Sequence, residues 1–215
     1  MKYGILWDLD GTLLDTLADL TDAVNYSLAQ FNCPPRTQKE IRDFVGNGTA
    51  RLIALSLPGK DTDPDPAAVL AVYKKYYLAH SCVKTVPYGG VCAALQALSH
   101  HPMAIVSNKP DPAVKDLAAK FFPGLYALGE TADCPRKPAP DMLYRAMADL
   151  GVDGCIYVGD SEVDIATAAN AGVPCLSVTW GFRDEDVLKS AGAARLCSDT
   201  ARLPAMLEAL LSEQK

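Results

Sequence analysis

Two aspartates with one residue between them, Asp8 and Asp10, end the first apolar run of the chain. Carboxylates in this arrangement can act as a nucleophile, as an acid–base group or as metal ligands. Because side chains alternate along a strand, both would point to one face while Leu9 points to the other, and Gly11 would permit a sharp exit. The pattern predicts two converging carboxylates, although alone it also fits a polar turn at a strand end.

Three later segments are polar at the equivalent place, after an apolar run that predicts a strand. They read Ser107-Asn108-Lys109, Arg136-Lys137-Pro138 and Gly159-Asp160-Ser161-Glu162-Val163-Asp164. Each has an ordinary interpretation by itself: Ser107 as a helix cap, Lys137 as a solvated side chain, and the acids as a helix N-terminus. Ligands of open parallel sheets bind at the carboxyl ends of the strands, so the four segments together predict one site.

A bound phosphoryl group would suit this set of residues. Crowded carboxylates repel one another, so a divalent cation such as Mg²⁺, with Asp8 and Asp160 as ligands, would keep them ionised. Asp164 would support the metal through water or orient Lys137. Ser107 and nearby backbone N–H groups would hold phosphate oxygens, and Lys137 would neutralise charge opposite the metal.

The two aspartates of the first segment would then have different roles. Asp8 would attack phosphorus and form an aspartyl phosphate, which divides one difficult displacement into two easier steps. Asp10 would give a proton to the leaving oxygen and later take one from water, an effect worth about 10²- to 10⁴-fold in rate.

The apolar periodicity predicts the elements that must position these residues. Beyond the first strand, it predicts strands over residues 103–106, 126–128, 155–158 and 175–178, and helices over 91–98, 112–122, 138–150, 163–171 and 203–211. Strands that alternate with helices imply right-handed crossovers and a parallel sheet covered on both faces. The predicted fold class is therefore α/β.

Residues 15 to 82 interrupt this alternation. Helical pattern alone occurs there, over residues 17–31, 38–45, around 51–55 and over 67–79, with a turn-rich stretch at 58–66. We predict a separate helical lid, inserted directly after the acidic strand end.

The composition argues against several classes of function. Lys and Arg number 20 against 26 Asp and Glu, a net charge of −6 with no basic run, which disfavours nucleic-acid binding. No stretch reaches the roughly 18 apolar residues of a membrane span and none resembles a signal peptide, so we expect a cytoplasmic protein. The seven cysteines form no CxxC pair and are expected to be reduced. Of the three histidines, His100 and His101 precede Pro102 as in a surface turn, and none indicates catalysis.

Taken in order, the four segments resemble the motifs of the haloacid dehalogenase-like hydrolase superfamily over essentially the whole chain. The matching residues are Asp8-Leu9-Asp10-Gly11-Thr12, Ser107-Asn108-Lys109, Lys137-Pro138, and Gly159-Asp160-Ser161 through Asp164. The resemblance implies a Rossmann-like three-layer core from residues 1–14 and 83–215, with a small α-helical cap at 15–82. It also implies a Mg²⁺ site, a nucleophile at Asp8, and an acid/base at Asp10 whose backbone carbonyl is a further metal ligand, with Thr12 in support.

Within the superfamily the chain most resembles phosphoglycolate phosphatase-like enzymes, through Val45-Gly46-Asn47-Gly48 and Val178-Thr179-Trp180-Gly181-Phe182. This likeness makes Asn47, Gly48 and Arg51 candidates for substrate contact from the cap, with Ser107, Asn108 and Lys137 on the core side. A helix-joining glycine turn with a surface arginine explains the cap residues equally well. The expected partner is a small phosphorylated metabolite, and the enzyme would be a monomer or a homodimer.

Other functions stay open at this point. A β-phosphoglucomutase-like enzyme would share Asp8 and Asp10, but such mutases commonly carry an acid where this chain has Gly159. Dehalogenases lack an acid at the position of Asp10. A pyrophosphatase or nucleotidase remains an alternative because the cap selects the substrate, whereas a non-catalytic phosphometabolite-binding protein would not need Asp10.

Overall fold

The computed structural model describes residues 1–60 and 63–214. Its strands are β1 Tyr3–Trp7, β2 Leu14–Asp15, β3 Val86–Pro87, β4 Met103–Pro110, β5 Tyr126–Glu130, β6 Gly154–Gly159, β7 Cys175–Val178 and β8 Leu196–Cys197. The helices are α1 Leu17–Ala29, α2 Gln38–Phe44, α3 Thr49–Ser56, α4 Pro66–His80, α5 Val91–Ala97, α6 Asp111–Phe121, α7 Asp141–Leu150, α8 Glu162–Ala171, α9 Glu185–Ser190 and α10 Leu203–Glu213, with a 3₁₀ helix at Thr200–Arg202.

A six-stranded parallel sheet in the order β5-β4-β1-β6-β7-β8 forms the centre of the fold. On one face, Ile5 and Trp7 pack in a cluster that includes buried side chains of α5, α6 and α10. On the other, Leu6 packs with buried side chains of α7 and α8. Helices on both faces confirm the predicted three-layer α/β fold, and they explain why the strands read as continuous apolar runs.

Several elements differ from the sequence prediction. The two-residue strands β2, β3 and β8 and the short helix α9 were not predicted, because so few residues carry no readable period. Strand β4 continues through Ser107-Asn108-Lys109 to Pro110, with a shift in its register against β5 between Val106 and Pro110, so this polar segment belongs to the end of the strand rather than to the loop after it. Helix α7 begins at Asp141 rather than at residue 138, because two prolines precede it.

Helices α1 to α4 form a helical unit between β2 and β3. Their buried side chains make a cluster of their own, which Ala113 of α6 joins. The chain enters and leaves this unit through β2 and β3, which pair antiparallel. Buried Asp19 fixes the segment that leads back to the core, because it accepts hydrogen bonds from the backbone N–H groups of residues 83–85 and from the Thr85 hydroxyl. The turn-rich stretch predicted at 58–66 includes residues 61 and 62, which lie outside the described residues.

Candidate active site

Three buried aspartates meet at the carboxyl ends of β1 and β6. Asp8 directly follows β1, Asp160 directly follows β6, and Asp164 lies in the first turn of α8. One carboxylate oxygen of each lies within 4.8 Å of those of the others. The side chains meet because β1 and β6 are neighbours in the sheet, with Trp7 paired to Val158.

Lys137 supplies positive charge to these aspartates. Its Nζ donates to Asp8 Oδ1 at 2.7 Å, to Asp164 Oδ1 at 2.8 Å and to the Tyr157 hydroxyl at 2.8 Å, and its side chain is 3% exposed. Asn108 holds the Lys137 backbone, because its amide Nδ2 donates to the Lys137 carbonyl and its Oδ1 accepts from the Lys137 N–H. Lys137 is therefore a fixed cation between two of the three carboxylates.

The start of α8 positions the last two acids of the motif. Asp164 Oδ2 accepts hydrogen bonds from the backbone N–H and the hydroxyl of Ser161, which caps the helix in return. Asp160 accepts from the Thr12 hydroxyl at 3.0 Å and from the Phe182 N–H at 2.7 Å. Gly11, with φ of 87°, lets the backbone pass close to Asp160, since a Cβ there would lie 2.3 Å from Asp160 Oδ2.

Burial shapes the acidity of all three carboxyl groups. It raises the pKa of Asp160 to about 7, and the charge of Asp164 adds to the rise. It also raises the pKa of Asp8 well above its ordinary value, although Lys137 opposes the shift. Burial acts in the same direction on Asp164, but the charge and hydrogen bond of Lys137, with hydrogen bonds from Ser161 and Tyr157, outweigh it and lower the pKa of that group.

The donor set fits a divalent cation with a preference for oxygen. Three carboxylates face one another, and Lys137 pairs with only two of them. Asp164 accepts two hydrogen bonds at each of its oxygens, whereas Asp160 accepts one at each and Lys137 donates to Oδ1 of Asp8. Asp8 and Asp160 are therefore the better placed ligands for an ion such as Mg²⁺, which binds carboxylates and phosphate oxygens.

Asp10 and Asp8 line one cavity, but Asp10 makes different contacts. Its Oδ1 accepts from Lys109 Nζ at 2.8 Å and from the Thr16 hydroxyl at 2.6 Å. The same ammonium lies 4.7 Å from the centre of the Tyr77 ring of α4. The polar segment that includes Lys109 was predicted to reach the site, but this pairing was not, and nothing in the sequence spacing could have indicated it.

The cavity itself, with a volume of about 50 Å³, lies between the sheet and the helical unit. From the core it is lined by Asp8, Asp10, Ser107, Asn108, Lys109, Lys137, Asp160, Ser161, Phe182 and Arg183, and from the helical unit by Leu20, Val45, Gly46, Gly48, Thr49, Leu52 and Tyr73. Of the three candidates predicted in the helical unit, Gly48 lines the cavity. Asn47 and Arg51 are exposed and lie outside its lining.

Two arginines join the helical unit to the core in opposite directions, and neither was predicted from the sequence. Arg183, in the loop after β7, donates to the carbonyls of Arg42 and Val45 and pairs with Glu162. Arg42, near the end of α2, donates to the Gly181 carbonyl and to Asp184. We call these contacts the arginine latch.

The arginine latch lies next to the carboxylate cluster. Phe182, between the two latch positions 181 and 183, donates its backbone N–H to Asp160. The same short loop therefore contacts both the helical unit and a candidate metal ligand. An isolated arginine after a strand has no sequence signature for such a role, because its two partners in the helical unit are backbone carbonyls near a distant helix end.

Comparison with known proteins agrees with this arrangement. The model of the haloacid dehalogenase-like hydrolase family matches residues 5–178. A phosphoglycolate phosphatase of Cereibacter sphaeroides is 37% identical over 194 residues, which cover 86% of this chain and 88% of that protein. A phosphoglycolate phosphatase of Rhodobacter capsulatus is 33% identical, with 97% of this chain and 98% of that protein covered.

A solved structure gives the same result for the fold. The crystal structure of a candidate phosphoglycolate phosphatase from Lactobacillus delbrueckii subsp. bulgaricus superimposes with a TM-score of 0.89 and 36% identity, covering 96% of this chain and 99% of that one. The described residues contain no helix that is both long and apolar enough to cross a membrane. The family match over residues 5–178 and these relatives show that the chain belongs to the haloacid dehalogenase-like hydrolase family.

Proposed function

We propose that this protein is a Mg²⁺-dependent phosphatase that hydrolyses a small phosphorylated metabolite of the phosphoglycolate type. The observation that carries the proposal is the buried Asp8 carboxylate, which contacts Lys137, faces Asp160 and shares a small cavity with Asp10. The relatives named phosphoglycolate phosphatase support the substrate class.

The first half of the reaction is the transfer of the phosphoryl group to Asp8. A carboxylate oxygen of Asp8 forms a bond to phosphorus while the bond from phosphorus to the leaving oxygen breaks, and Asp10 gives that oxygen a proton. Lys137 orients Asp8 and offsets the negative charge around it. Ser107, which is 2% exposed and lines the cavity, would hold a phosphoryl oxygen.

The second half is hydrolysis of the aspartyl phosphate. Asp10, now ionised, takes a proton from water as the water oxygen attacks phosphorus, and the bond to Asp8 breaks to release inorganic phosphate. When bound by Asp8, Asp160 and the Asp10 carbonyl, Mg²⁺ would neutralise charge on the phosphoryl oxygens. Asp164 and Thr12 would position Lys137 and Asp160, the groups that they contact.

We further propose that residues 15–82 act as a cap over a catalytic core formed by residues 1–14 and 83–215. The separate apolar cluster of the helical unit and its paired entry and exit strands support this division. In the cap, Gly48 is the best placed of the predicted contacts. Asn47 and Arg51 would need a movement of the α2–α3 turn to reach a ligand.

A mutase is the less favoured alternative. An added Cβ at Gly159 would lie 2.3 Å from the Cβ of Asp164, so this packing leaves no room there for the acid that mutases commonly carry. A screen of phosphorylated metabolites should therefore show release of phosphate, most efficiently from two- and three-carbon acids, and abolition by EDTA. Isomerisation of a sugar phosphate that depends on glucose 1,6-bisphosphate would support the mutase instead.

Mg²⁺ should bind more tightly at pH 8 than at pH 6. Without the ion, Asp160 has a folded pKa of about 7 against an ordinary value of 3.8, so the folded state binds more protons between about pH 4 and pH 7. The stability contribution of this group therefore falls as the pH rises through that window. Since Mg²⁺ needs the ionised carboxylate, its dissociation constant should be about tenfold larger at pH 6. Calorimetric titration at both pH values checks this, and equal constants would contradict it.

The Asp10→Asn substitution should affect substrates according to their leaving groups. An alkyl phosphate needs a proton on the leaving oxygen, so its turnover should fall by about 10²- to 10⁴-fold. An activated aryl phosphate has a good leaving group, so formation of its aspartyl phosphate should slow far less. Pre-steady-state release of the aryl alcohol measures that step directly. An equal loss in the first step for both substrates would count against the acid role.

The Arg183→Met substitution should weaken substrate capture, because it opens the arginine latch and changes a side chain that lines the cavity. It removes charge-assisted hydrogen bonds to two cap carbonyls, so kcat/KM should fall by about 10- to 100-fold. Arg195→Met is the matched control, because Arg195 pairs with Glu213 on the surface and touches neither cap nor cavity. Steady-state kinetics with a thermal melt of each variant separates weaker substrate capture from a loss of folding. Unchanged kcat/KM in a folded Arg183→Met protein would contradict a role for the latch.

A further inference from the structure

A second group of metal-ligating side chains lies at the opposite end of the sheet from the carboxylate cluster. His100 and His101 occupy the turn between α5 and β4, and Glu208 lies on α10. This turn precedes β4, whereas Ser107 lies near the carboxyl end of the same strand. The phosphatase proposed above makes no use of these three residues.

The three side chains converge on one point. Nε2 of His100 lies 3.0 Å from Glu208 Oε1, and Nε2 of His101 lies 2.9 Å from the same oxygen. The two imidazole rings are tilted by 42°, with centres 4.1 Å apart. All three ligand atoms lie within 4.8 Å of one another.

These spacings are close to what a single ion requires. Zinc binds imidazole nitrogen and carboxylate oxygen at about 2.0 to 2.2 Å in tetrahedral geometry, so two of its ligand atoms lie about 3.4 Å apart, about 0.4 Å more than the two nitrogen–oxygen separations here. The observed separations allow the ion to enter with small side-chain rotations. The site is also accessible, since the side chains of His100, His101 and Glu208 are 61%, 20% and 45% exposed.

The backbone positions of the ligands are held by the core. Leu98, just before the turn, and Leu207, beside Glu208, are fully buried in one apolar cluster. The backbone N–H of His101 also donates to the Leu98 carbonyl. Part of the ordering cost of assembling three ligands is therefore met by folding itself.

We propose that His100, His101 and Glu208 form a binding site for a divalent transition-metal ion of the zinc class. Two imidazoles and one carboxylate suit Zn²⁺ or Ni²⁺ and disfavour Mg²⁺, which prefers oxygen ligands alone. Three protein ligands leave a fourth position for water. The ion joins α10 to the α5–β4 turn, so its binding stabilises the folded core at a place remote from the carboxylate cluster.

Histidine side-chain NMR in saturating Mg²⁺ tests the site with Zn²⁺ as the probe. One equivalent of zinc should shift the ring nitrogens of His100 and His101 and raise the melting temperature. His80 is an internal control, because its ring stacks on Tyr76 and its Nδ1 contacts the Tyr76 carbonyl in the helical unit. Equal shifts at all three histidines, or no shift at His100 and His101, would overturn the proposal.

Two variants complete the test. Glu208→Gln keeps the shape of the side chain but removes its charge, so zinc affinity should fall by about tenfold or more. Cys92→Ser removes an exposed thiol of α5 close to the site and should leave the affinity unchanged. Unaltered binding by Glu208→Gln, or its loss in Cys92→Ser, would overturn the three-ligand site. None of these measurements uses phosphatase activity, so their outcome is independent of the proposed function.

Discussion

Asp8→Asn should lower phosphomonoester hydrolysis by about 10⁴-fold or more, the scale seen when a covalent nucleophile is removed. An amide is nearly the same size as a carboxylate, but it cannot form the acyl phosphate that the proposed mechanism requires. In the structure Asp8 is 7% exposed, and its carboxylate contacts Lys137.

The same variant should remain folded. Lys137 keeps its contacts with Asp164 and Tyr157, and one of three mutually repelling buried carboxyl groups becomes neutral. We therefore expect a melting temperature at or above that of the wild type without Mg²⁺. Trapping of radioactive phosphate on the wild-type protein, with none on the folded variant, would identify Asp8 as the nucleophile. Full activity in Asp8→Asn would rule out the covalent mechanism.

Lys137→Met should reduce both activity and stability. The ammonium group contacts Asp8, Asp164 and the Tyr157 hydroxyl, and methionine leaves the two carboxylates without their cation. Removing one partner from a buried ion pair costs about 3 to 5 kcal/mol, because the remaining charge stays buried and unpaired. Activity should fall as well, because Asp8 loses the group that orients it and stabilises its ionised form.

The stability loss should depend on pH in a defined direction. Burial works against the charge of Lys137, but Asp164 and Asp8 outweigh it and raise the Lys137 pKa, so its contribution is complete below the unfolded pKa and is lost only at alkaline pH. The pKa of Asp164 is lowered despite burial, chiefly by Lys137, so its contribution is present above the ordinary value of 3.8 and is lost as the pH falls through the folded value. The difference in the free energy of unfolding between the wild type and Lys137→Met should thus be largest near pH 7 and smaller in acid.

Urea unfolding at pH 7 and at about pH 3, in EDTA, measures this difference in the free energy of unfolding. Lys189→Met is the matched control, since Lys189 pairs with Glu185 on the exposed face of α9 and should contribute little at any pH. A difference that does not change with pH would show that Lys137 acts through its hydrocarbon stem rather than through its charge. Lys137→Arg keeps the charge, but a planar guanidinium cannot reproduce the compact ammonium contacts and should restore stability only in part.

Local pattern was sufficient to predict the main elements of the fold. Apolar runs such as Tyr3–Trp7 read as strands buried on both faces, and the alternation of strands with helices implied the parallel sheet. The site was also indicated locally, because Asp8 and Asp160 each directly follow a strand and parallel strands end at the same edge. Elements of two residues, such as β2 and β3, were too short to show a period.

What the sequence by itself determined, then, was which residues stand at the carboxyl edge of the sheet. Only the tertiary structure decided which of them touch. The pairing of Lys109 with Asp10, the burial of Tyr157 beside Lys137 and the arginine latch all join positions far apart in the chain. Such contacts depend on the depth of each side chain and on the direction in which the helical unit returns to the core. Strand and helix periodicity report the face of an element that is buried, and they do not report the partner that this face meets.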